Sequence, residues 1–125
     1  MSIKGIGTDL LDQSRIEKVL TKQGGRFSKR ILTPEELLVW QGKERSVNFL
    51  AKRFAAKEAI SKALGTGIAK GVGFQQMNIS ADDLGKPIVV LSGAALERAQ
   101  ELGGQEVSLS LSDEGEMILA FAVLS

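Results

Sequence analysis

The sequence contains no histidine and no cysteine. Without imidazole side chains there can be no Ser-His-Asp triad, no histidine general base and no histidine metal ligand. Without thiols there can be no disulfide bond, no thiolate nucleophile and no cysteine metal site. Any chemistry must therefore use carboxylates, lysines, hydroxyl groups or a bound hard metal, and oxygen-only ligand sets favour Mg²⁺ or Mn²⁺ over Zn²⁺.

The chain also lacks a large excess of charge, since 16 basic residues face 15 acidic ones and leave a net charge of +1. This balance argues against a protein that coats nucleic acid, although a local basic patch is still possible. No basic-then-apolar leader opens the chain, and no apolar run approaches the ~20 residues needed to span a bilayer. We therefore expect no nucleic-acid partner, no membrane partner and a cytoplasmic location.

Two glycines interrupt the first apolar segment. The stretch from Ser2 to Asp9 alternates in part and predicts a strand that delivers Asp9 at its end. Gly5 and Gly7 weaken this strand, which suggests that something else approaches its backbone closely. Taken alone, an acid at the end of a strand is typical of a turn or a cap.

A basic helix follows this strand. The motif Ser14-Arg-Ile-Glu17 matches a capping box and predicts a helix over residues 15–22, ended by the pair Gly24-Gly25. The outward side chains of this helix are basic: Arg15, Lys18 and Lys22. An isolated run of this kind is typical of a solvated surface, and a binding face for an acidic partner is the alternative.

A long central helix carries the most informative carboxylate. Thr33-Pro-Glu-Glu36 is a second capping signature and predicts a short helix that ends near Gly42. Ser46 then caps the long helix, and Gly65 ends it. Apolar side chains at helical spacing form one stripe along it, and Glu58 falls within the continuation of that stripe. The stripe consists of Val47, Leu50, Ala51 and Phe54.

Glu58 needs a partner at such a position. Removing a lone ionised carboxylate from water costs several kcal/mol, so a cation or a metal should accompany it. Lys57 and Lys62 lie to either side of it. The alternative is a surface pair between Glu58 and Lys62 at i,i+4 spacing, which contributes only about 0.2–0.5 kcal/mol. Spacing alone leaves both interpretations open.

The segment from Gly65 to Gly73 contains four glycines. Glycine at this density lets a backbone approach a ligand closely and turn its amides towards an anion. The spacing is not that of a P-loop, and an ordinary connection between a helix and a strand is the alternative.

The C-terminal half predicts strands around one more helix. Residues 74–79 and 87–91 suit two strands joined by a turn in which Gly85 supplies a positive φ. Ser92 then caps a helix. The last run, from Met117 to Leu124, is apolar on both sides, which predicts a strand buried on both faces and suggests a subunit interface. With 43% hydrophobic residues, the chain predicts a single α+β domain over residues 1–125 with a mainly antiparallel sheet.

Three blocks of the sequence together resemble a known family. The chain is similar over essentially its whole length to the bacterial holo-[acyl-carrier-protein] synthases of the 4′-phosphopantetheinyl transferase superfamily. Each block is weak alone, and their order and spacing make the resemblance specific. The blocks are Gly5-Ile-Gly-Thr-Asp-Leu10 with Arg15-Ile16, Phe49 to Ala59 continued by Lys62 to Ile68, and Leu84-Gly-Lys-Pro87.

The resemblance implies a reaction, a fold and an assembly. Members of the family move 4′-phosphopantetheine from coenzyme A to a serine of apo acyl carrier protein in fatty acid biosynthesis. They release adenosine 3′,5′-bisphosphate. The implied fold is that of the 4′-phosphopantetheinyl transferases, with a long central helix, and the implied assembly is a homotrimer with its active sites between subunits.

The resemblance also implies roles for individual residues. Asp9 and Glu58 would hold the Mg²⁺ that bridges the coenzyme's pyrophosphate, and Lys62 would stabilise charge that develops during the transfer. The serine proton would leave to Glu58, to a metal-bound water or to solvent, and a water held by Glu58 is our preferred acceptor. The remaining implied contacts are Gly65 and Thr66 for the diphosphate or pantetheine arm, Arg53 and Arg45 for the nucleotide's phosphates, and Arg15, Lys22 and Arg26 for the acidic carrier protein.

Two functions of other classes compete with this one. A noncatalytic module that binds an acidic partner would be indifferent to Mg²⁺ and coenzyme A. A small nucleotide-binding protein would bind the coenzyme without making a modified product. Incubation with apo carrier protein, coenzyme A and Mg²⁺ separates all three.

Overall fold

The computed structural model describes residues 2–125 of the chain. Within them, five strands and five α-helices alternate in mixed order, so the predicted α+β class is confirmed. The elements are β1 (Gly5–Asp12), α1 (Gln13–Gln23), α2 (Gly25–Ile31), α3 (Pro34–Gly42), α4 (Val47–Ala63), a 3₁₀ turn (Phe74–Gln76), β2 (Met77–Ala81), β3 (Pro87–Leu91), α5 (Gly93–Glu101), β4 (Val107–Glu114) and β5 (Met117–Leu124).

The main sheet is antiparallel and has β5 at its centre, with β1 on one side and β4 on the other. Strands β1 and β5 pair along their whole lengths, from Gly5 opposite Leu124 to Asp12 opposite Met117. The long helix α4 packs across one face of this sheet. It is the predicted central helix, and its core residues, such as Leu50 and Ile60, are fully buried.

Strands β2 and β3 form a separate two-stranded antiparallel sheet. Gly85 has a φ of +88° in the turn between them, as predicted. The first strand of this hairpin was predicted to start at residue 74, but residues 74–76 form a 3₁₀ turn and β2 begins only at Met77. No helix in residues 2–125 is long and apolar enough to cross a bilayer.

The contact between β1 and α4 is made by main chain. A Cβ atom on Gly5 would overlap the carbonyl oxygen of Ala63, and one on Gly7 would overlap that of Ala59. The close backbone approach predicted from the two glycines is therefore confirmed. As a result, no side chain separates the first half of β1 from the second half of α4.

The two faces of the main sheet differ. On β5, alternate residues from Ile118 to Leu124 are completely buried against α4. The intervening side chains are apolar but exposed: Met117 at 41%, Leu119 at 45% and Phe121 at 41%. The expectation that β5 is buried on both faces is therefore wrong for the single chain. Ile6 and Leu10 of β1 extend this exposed apolar face.

Two predicted boundaries near the N-terminus are wrong. The first strand runs to Asp12, so Asp9 lies in its middle and not at its end. Helix α1 begins at Gln13 and is capped by Asp12, whose Oδ1 accepts a hydrogen bond from the Ser14 amide at 3.0 Å. Ser14 is therefore inside the helix and caps nothing.

The other predicted caps have mixed outcomes. Thr33 and Glu36 form the predicted capping box of α3, and Ser46 caps α4 through the Phe49 amide. Ser92 occupies the position before α5, but its side chain does not cap the helix. Gln76 does so instead, because its Oε1 accepts a hydrogen bond from the Ala95 amide at 2.9 Å.

Candidate active site

Asp9 faces helix α4 from the middle of β1. Side chains alternate along a strand, and the neighbours on the same side, Gly7 and Leu11, are both buried. The Asp9 side chain is only 16% exposed. The strand therefore presents a largely buried carboxylate to the helix that carries Glu58.

Glu58 is half-buried on α4, in the turn that contacts β1. Burial raises the pKa of its carboxyl group, the nearby negative charge of Asp9 raises it further, and Lys62 opposes both effects. The two acids are 49 positions apart in the sequence, yet the charge of Asp9 acts on Glu58 in the fold. The structure therefore brings together the two residues predicted to share a cation.

Lys62 completes the cluster. Its ammonium donates a hydrogen bond to the Thr8 carbonyl oxygen at 2.9 Å and lies 3.2 Å from Asp9 Oδ1. The alternative of a simple surface pair between Glu58 and Lys62 is wrong, because the ammonium is directed at β1. The centre of the candidate site therefore consists of one cation and two acids. Lys62 and Glu58 lie on adjacent turns of α4, and Asp9 lies on β1.

The donor set fits Mg²⁺. This ion commonly binds one or two carboxylates and keeps water and substrate phosphate as its other ligands. The described residues, 2–125, contain no group of three or more acidic side chains that could hold a metal by themselves. A cation held by both carboxylates would relieve the repulsion through which Asp9 raises the pKa of Glu58. Asp9 and Glu58 are the residues that could hold it.

Arg53 lies on another face of α4 and lines a groove of about 740 Å³ with residues of α3, β2 and β4. Its guanidinium stacks over the Phe49 ring, 4.4 Å from the ring centroid. Its Nε is buried and has no hydrogen-bond partner among residues 2–125, although Glu36 Oε2 lies 3.6 Å away. Burial lowers the pKa of Arg53, and Glu36 opposes this shift.

Arg45 is not in that groove. It lies in the turn between α3 and α4 with a φ of +54°, beside a smaller depression that includes Leu20 and Trp40. The two arginines predicted to bind one nucleotide are thus assigned to different surfaces of the single chain.

Gly65 and Thr66 line a third groove, of about 460 Å³, between the end of α4 and helix α5. Two cations that the sequence analysis missed, Lys70 and Arg98, line it as well. Arg98 is held in place by a 2.9 Å hydrogen bond from its Nε to the Leu64 carbonyl oxygen. No spacing pattern predicted this contact, because α5 and α4 are distant in sequence.

The predicted basic face is present on α1. Arg15, Lys18 and Lys22 line one shallow groove along the helix. Arg26 is exposed at the start of the next helix, α2. The predicted basic surface on α1 is therefore confirmed. The acidic partner predicted to bind it stays a prediction.

The sequence analysis missed a buried ion pair. Lys57 was considered only as a neighbour of Glu58, but it is fully buried and pairs with Glu36 at 2.6 Å. A signal was available, since Lys57 lies seven residues after Leu50 and seven before Leu64. A seven-residue spacing returns to the same side of a helix, and both leucines are buried.

Comparisons with known proteins identify this combination of fold and acids. The family profile of the 4′-phosphopantetheinyl transferase superfamily matches residues 5–122. The chain belongs to this superfamily. Within it, the chain is 49% identical over 124 residues to a holo-[acyl-carrier-protein] synthase of Shewanella amazonensis, with 99% of each chain covered.

Solved structures agree with this assignment. The crystal structure of holo-[acyl-carrier-protein] synthase from Neisseria meningitidis has a TM-score of 0.90 and 50% identity, with 99% of each chain covered. The Helicobacter pylori enzyme in complex with coenzyme A has a TM-score of 0.83 and 33% identity, covering 96% of this chain and 99% of that one. The predicted transferase fold and the predicted enzyme class, a holo-[acyl-carrier-protein] synthase, are confirmed.

Proposed function

We propose that the enzyme transfers 4′-phosphopantetheine from coenzyme A to a serine of apo acyl carrier protein, with Mg²⁺ as its cofactor. The products are holo acyl carrier protein, which serves fatty acid biosynthesis, and adenosine 3′,5′-bisphosphate. The observation that carries this proposal is the cluster of Asp9, Glu58 and Lys62, in which the Lys62 ammonium lies 3.2 Å from Asp9 and the charge of Asp9 acts on Glu58. The Helicobacter pylori relative bound to coenzyme A supports the donor.

The cluster suits phosphoryl transfer. When the serine hydroxyl attacks the β-phosphorus, negative charge develops on the equatorial and leaving oxygens, so catalysis depends on positioning and on nearby positive charge. Asp9 and Glu58 would hold Mg²⁺, which polarises phosphate oxygens when bound. Lys62, already directed to this point by Thr8, supplies a second positive charge.

Glu58 has a further role in this proposal. The serine must lose a proton, and the chain contains no histidine to accept it. Proton acceptors at the site are therefore limited to carboxylates and water, and Glu58 is one of the two acids of the cluster. We therefore assign proton transfer to a water held by Glu58.

The coenzyme contacts remain predictions. Gly65 and Thr66 are assigned to the diphosphate or pantetheine arm, and the neighbouring Arg98 adds a cation to that groove. Arg53 and Arg45 are assigned to the nucleotide's phosphates. The position of Arg53 in the lining of its groove supports its part of the assignment, because it places a positive charge there.

The proposed assembly is a homotrimer. The outer face of the main sheet carries Ile6 and Leu10 of β1 beside Leu119 and Phe121 of β5, all more than 40% exposed. A contiguous apolar face of this kind is typical of a contact with another chain. The family resemblance predicts an association of three copies with active sites between subunits, and this face is the contact that we assign to it.

The proposed protein partner is the acidic carrier protein, at the basic face of α1. Charges such as Arg15 and Lys22 at the rim of an interface mainly speed association and make it salt-dependent. Lys18 lines the same groove and strengthens the local positive charge. A cytoplasmic location belongs to the proposal as well.

One experiment tests the activity. Apo carrier protein is incubated with the enzyme, coenzyme A and Mg²⁺, and the mass of the intact carrier protein is measured. The proposal predicts addition of the phosphopantetheine mass, and its loss when a chelator is added. Coenzyme binding without a change in carrier mass would favour a nucleotide-binding protein, and indifference to both coenzyme and metal would favour a simple interaction module.

Asp9→Asn is the residue-level test of the cluster. It should remove activity and weaken Mn²⁺ binding to the free enzyme, because it takes away one of only two acids. Glu106→Gln is the matched control, since Glu106 is an exposed acid in the loop before β4. Unchanged turnover in Asp9→Asn would remove Asp9 from the site.

A further inference from the structure

Lys57 is the most deeply buried charged side chain that the proposed chemistry does not use. It is 0% exposed, and its ammonium donates three hydrogen bonds. The acceptors are Glu36 Oε1 at 2.6 Å, the Ile31 carbonyl oxygen at 2.6 Å and the Phe74 carbonyl oxygen at 3.1 Å. All three donors of the ammonium group are thereby used.

The acceptors come from three separate parts of the chain. Ile31 is the last residue of α2, Glu36 is in the first turn of α3, and Phe74 begins the 3₁₀ turn before β2. Lys57 therefore ties the middle of α4 to three elements on the side away from the main sheet. An ammonium ion with three fixed acceptors restrains both translation along the helix axis and rotation about it.

Glu36 is itself fixed on every side. Its Oε1 also accepts from the Thr33 amide at 2.8 Å, and its Oε2 accepts from the Ile79 amide at 2.8 Å. Arg53 adds a second positive charge at 3.6 Å. The carboxylate that holds Lys57 thus has no freedom to follow a movement of α4, because it is anchored to both α3 and β2.

Helix α4 is restrained on its opposite side by main chain. Gly5 and Gly7 of β1 contact the carbonyl oxygens of Ala63 and Ala59. Glu58 is the residue that follows Lys57, and it lies between these two sets of contacts. A shift of α4 by one residue along its axis would move Glu58 by about 1.5 Å relative to Asp9.

We propose that Lys57 is a positioning residue, which sets the height of Glu58 opposite Asp9 and so fixes the geometry of the metal-binding pair. This inference rests on the proposed function of the two acids. An apolar side chain at position 57 would fill the same space but would have no directional contacts, so α4 could slide along it. Misplacement of a catalytic group by about 1 Å can lower a rate by about 100-fold.

The test uses Lys57→Met, which keeps the length of the side chain and removes the ammonium. Mn²⁺ binding to the free enzyme is followed by electron paramagnetic resonance, and kcat and KM are measured separately. We expect Mn²⁺ affinity to fall by about 10-fold and kcat by about 10- to 100-fold, the range found for residues that support metal ligands. KM for coenzyme A and for the carrier protein should change by less than about threefold.

The control for a general loss of stability is Leu124→Ala. Leu124 is 0% exposed at the far end of β5, opposite Gly5 and away from Asp9, so its truncation destabilises the core without touching Glu58. Each variant is assayed at the same number of degrees below its own Tm. A purely structural role for Lys57 predicts that both variants keep wild-type Mn²⁺ affinity, and that result overturns the proposal.

Two further variants keep the outcomes distinct. If Lys57→Met does not fold, Glu36→Gln serves instead, because it leaves Lys57 in place and removes the charge that holds it. For Glu36→Gln we expect Mn²⁺ affinity to fall by about threefold, which is less than for Lys57→Met. Wild-type affinity in Glu36→Gln overturns the proposal. Asp9→Asn reports on the proposed function itself. If Asp9→Asn leaves Mn²⁺ binding unchanged, the metal assignment fails, whereas failure of the Lys57 variants alone refutes only the positioning role.

Discussion

At the scale of single residues, the site places a charge where the fold disfavours it. The pKa of Glu58 is raised above its ordinary value of 4.5 by burial and by Asp9. A carboxyl group with a raised pKa binds its proton more tightly in the folded state than in the unfolded state. Protonation of Glu58 therefore adds to the free energy of unfolding. This contribution is fully present below about pH 4.5 and is lost as pH rises through the folded-state pKa. At neutral pH, the charge on Glu58 therefore destabilises the metal-free enzyme.

Glu58→Gln should separate stability from activity. The rate of transfer should fall by at least about 100-fold. Altering a group that only supports a metal ligand lowers activity by up to about 100-fold, and Glu58 is proposed to be a ligand itself. The Tm of the metal-free protein should rise at pH 7, because a neutral amide carries no desolvation penalty of this size. The gain should shrink as pH falls towards 4.5. Calorimetric scans across this pH range, with a parallel transfer assay, make the measurement. A lower Tm at pH 7 would contradict the argument.

The sequence located the residues of the site better than their surroundings. Glu58 was singled out by its place on the apolar stripe of the helix, whereas Asp9 and the role of Lys62 came from the family motifs, and the structure puts Lys62 and the charge of Asp9 beside Glu58. Lys57 and Glu36 were missed because a lysine among mixed residues of a helix does not reveal its partners. Its burial depends on carbonyl groups of Ile31 and Phe74, which no local pattern connects to α4.

At the scale of elements, the sequence predicted a helix or a turn correctly where one local interaction determines where that element begins or ends. The capping box at Thr33 and the turn at Gly85 are of this kind. The boundary between β1 and α1 was misplaced because Asp12 and Ser14 are both good caps and lie two residues apart. The Gln13 amide donates to the Glu116 carbonyl oxygen at 2.8 Å, and this tertiary contact ties the start of the helix to the end of the main sheet.

Gly7→Ala tests the packing of β1 on α4. The added Cβ would overlap the Ala59 carbonyl oxygen, and both partners are backbone, so neither can rotate away. Overpacking of this kind destabilises by about 1–3 kcal/mol or more. Gly42→Ala is the control, because nothing lies within 4 Å of a Cβ at that position. Urea denaturation should show a large loss for the first variant and little change for the second, while equal losses would exclude a specific contact.

At the scale of the whole molecule, the outer face of the main sheet is the least expected feature. The sequence of β5 is apolar on both sides, and α4 covers only one of them. The sequence pattern could show that both faces avoid water, but it could not show which one is covered by the chain itself. None of residues 2–125 covers the other face, which is why an assembly enters the proposal.

Phe121→Lys should break the proposed trimer. A lysine there would bury a charge at the centre of the apolar face, while the buried side of β5 stays unchanged. Light scattering should show a mass of three chains of 13.4 kDa for the wild type and a smaller species for the variant. Gln100→Lys, at an exposed position of helix α5, is the control. A wild-type mass for Phe121→Lys would show that this face is not the contact.

Carrier-protein recognition should depend on charge over the whole surface of α1. Arg15→Glu should raise KM for the carrier protein by up to about fivefold at low salt, since exposed charge pairs contribute about 0.2–1 kcal/mol each. The effect should diminish as salt is added, because exposed charges are screened. Steady-state kinetics at several ionic strengths measures it. Lys4→Glu, an exposed lysine before β1, is the control, and an equal effect there would show only a response to net charge.

The glycine contacts of β1 have a consequence for the choice of ion. Main-chain atoms alone set the distance from strand to helix, so repacking side chains cannot adjust the space that the two acids enclose. Apart from the axial position of Glu58 that Lys57 is proposed to set, the adjustable quantity is the length of the acids themselves. Lengthening Asp9 to glutamate would crowd the gap and would alter discrimination between small and large divalent ions, whereas core substitutions that leave Lys57 and Glu36 in place would leave that preference unchanged.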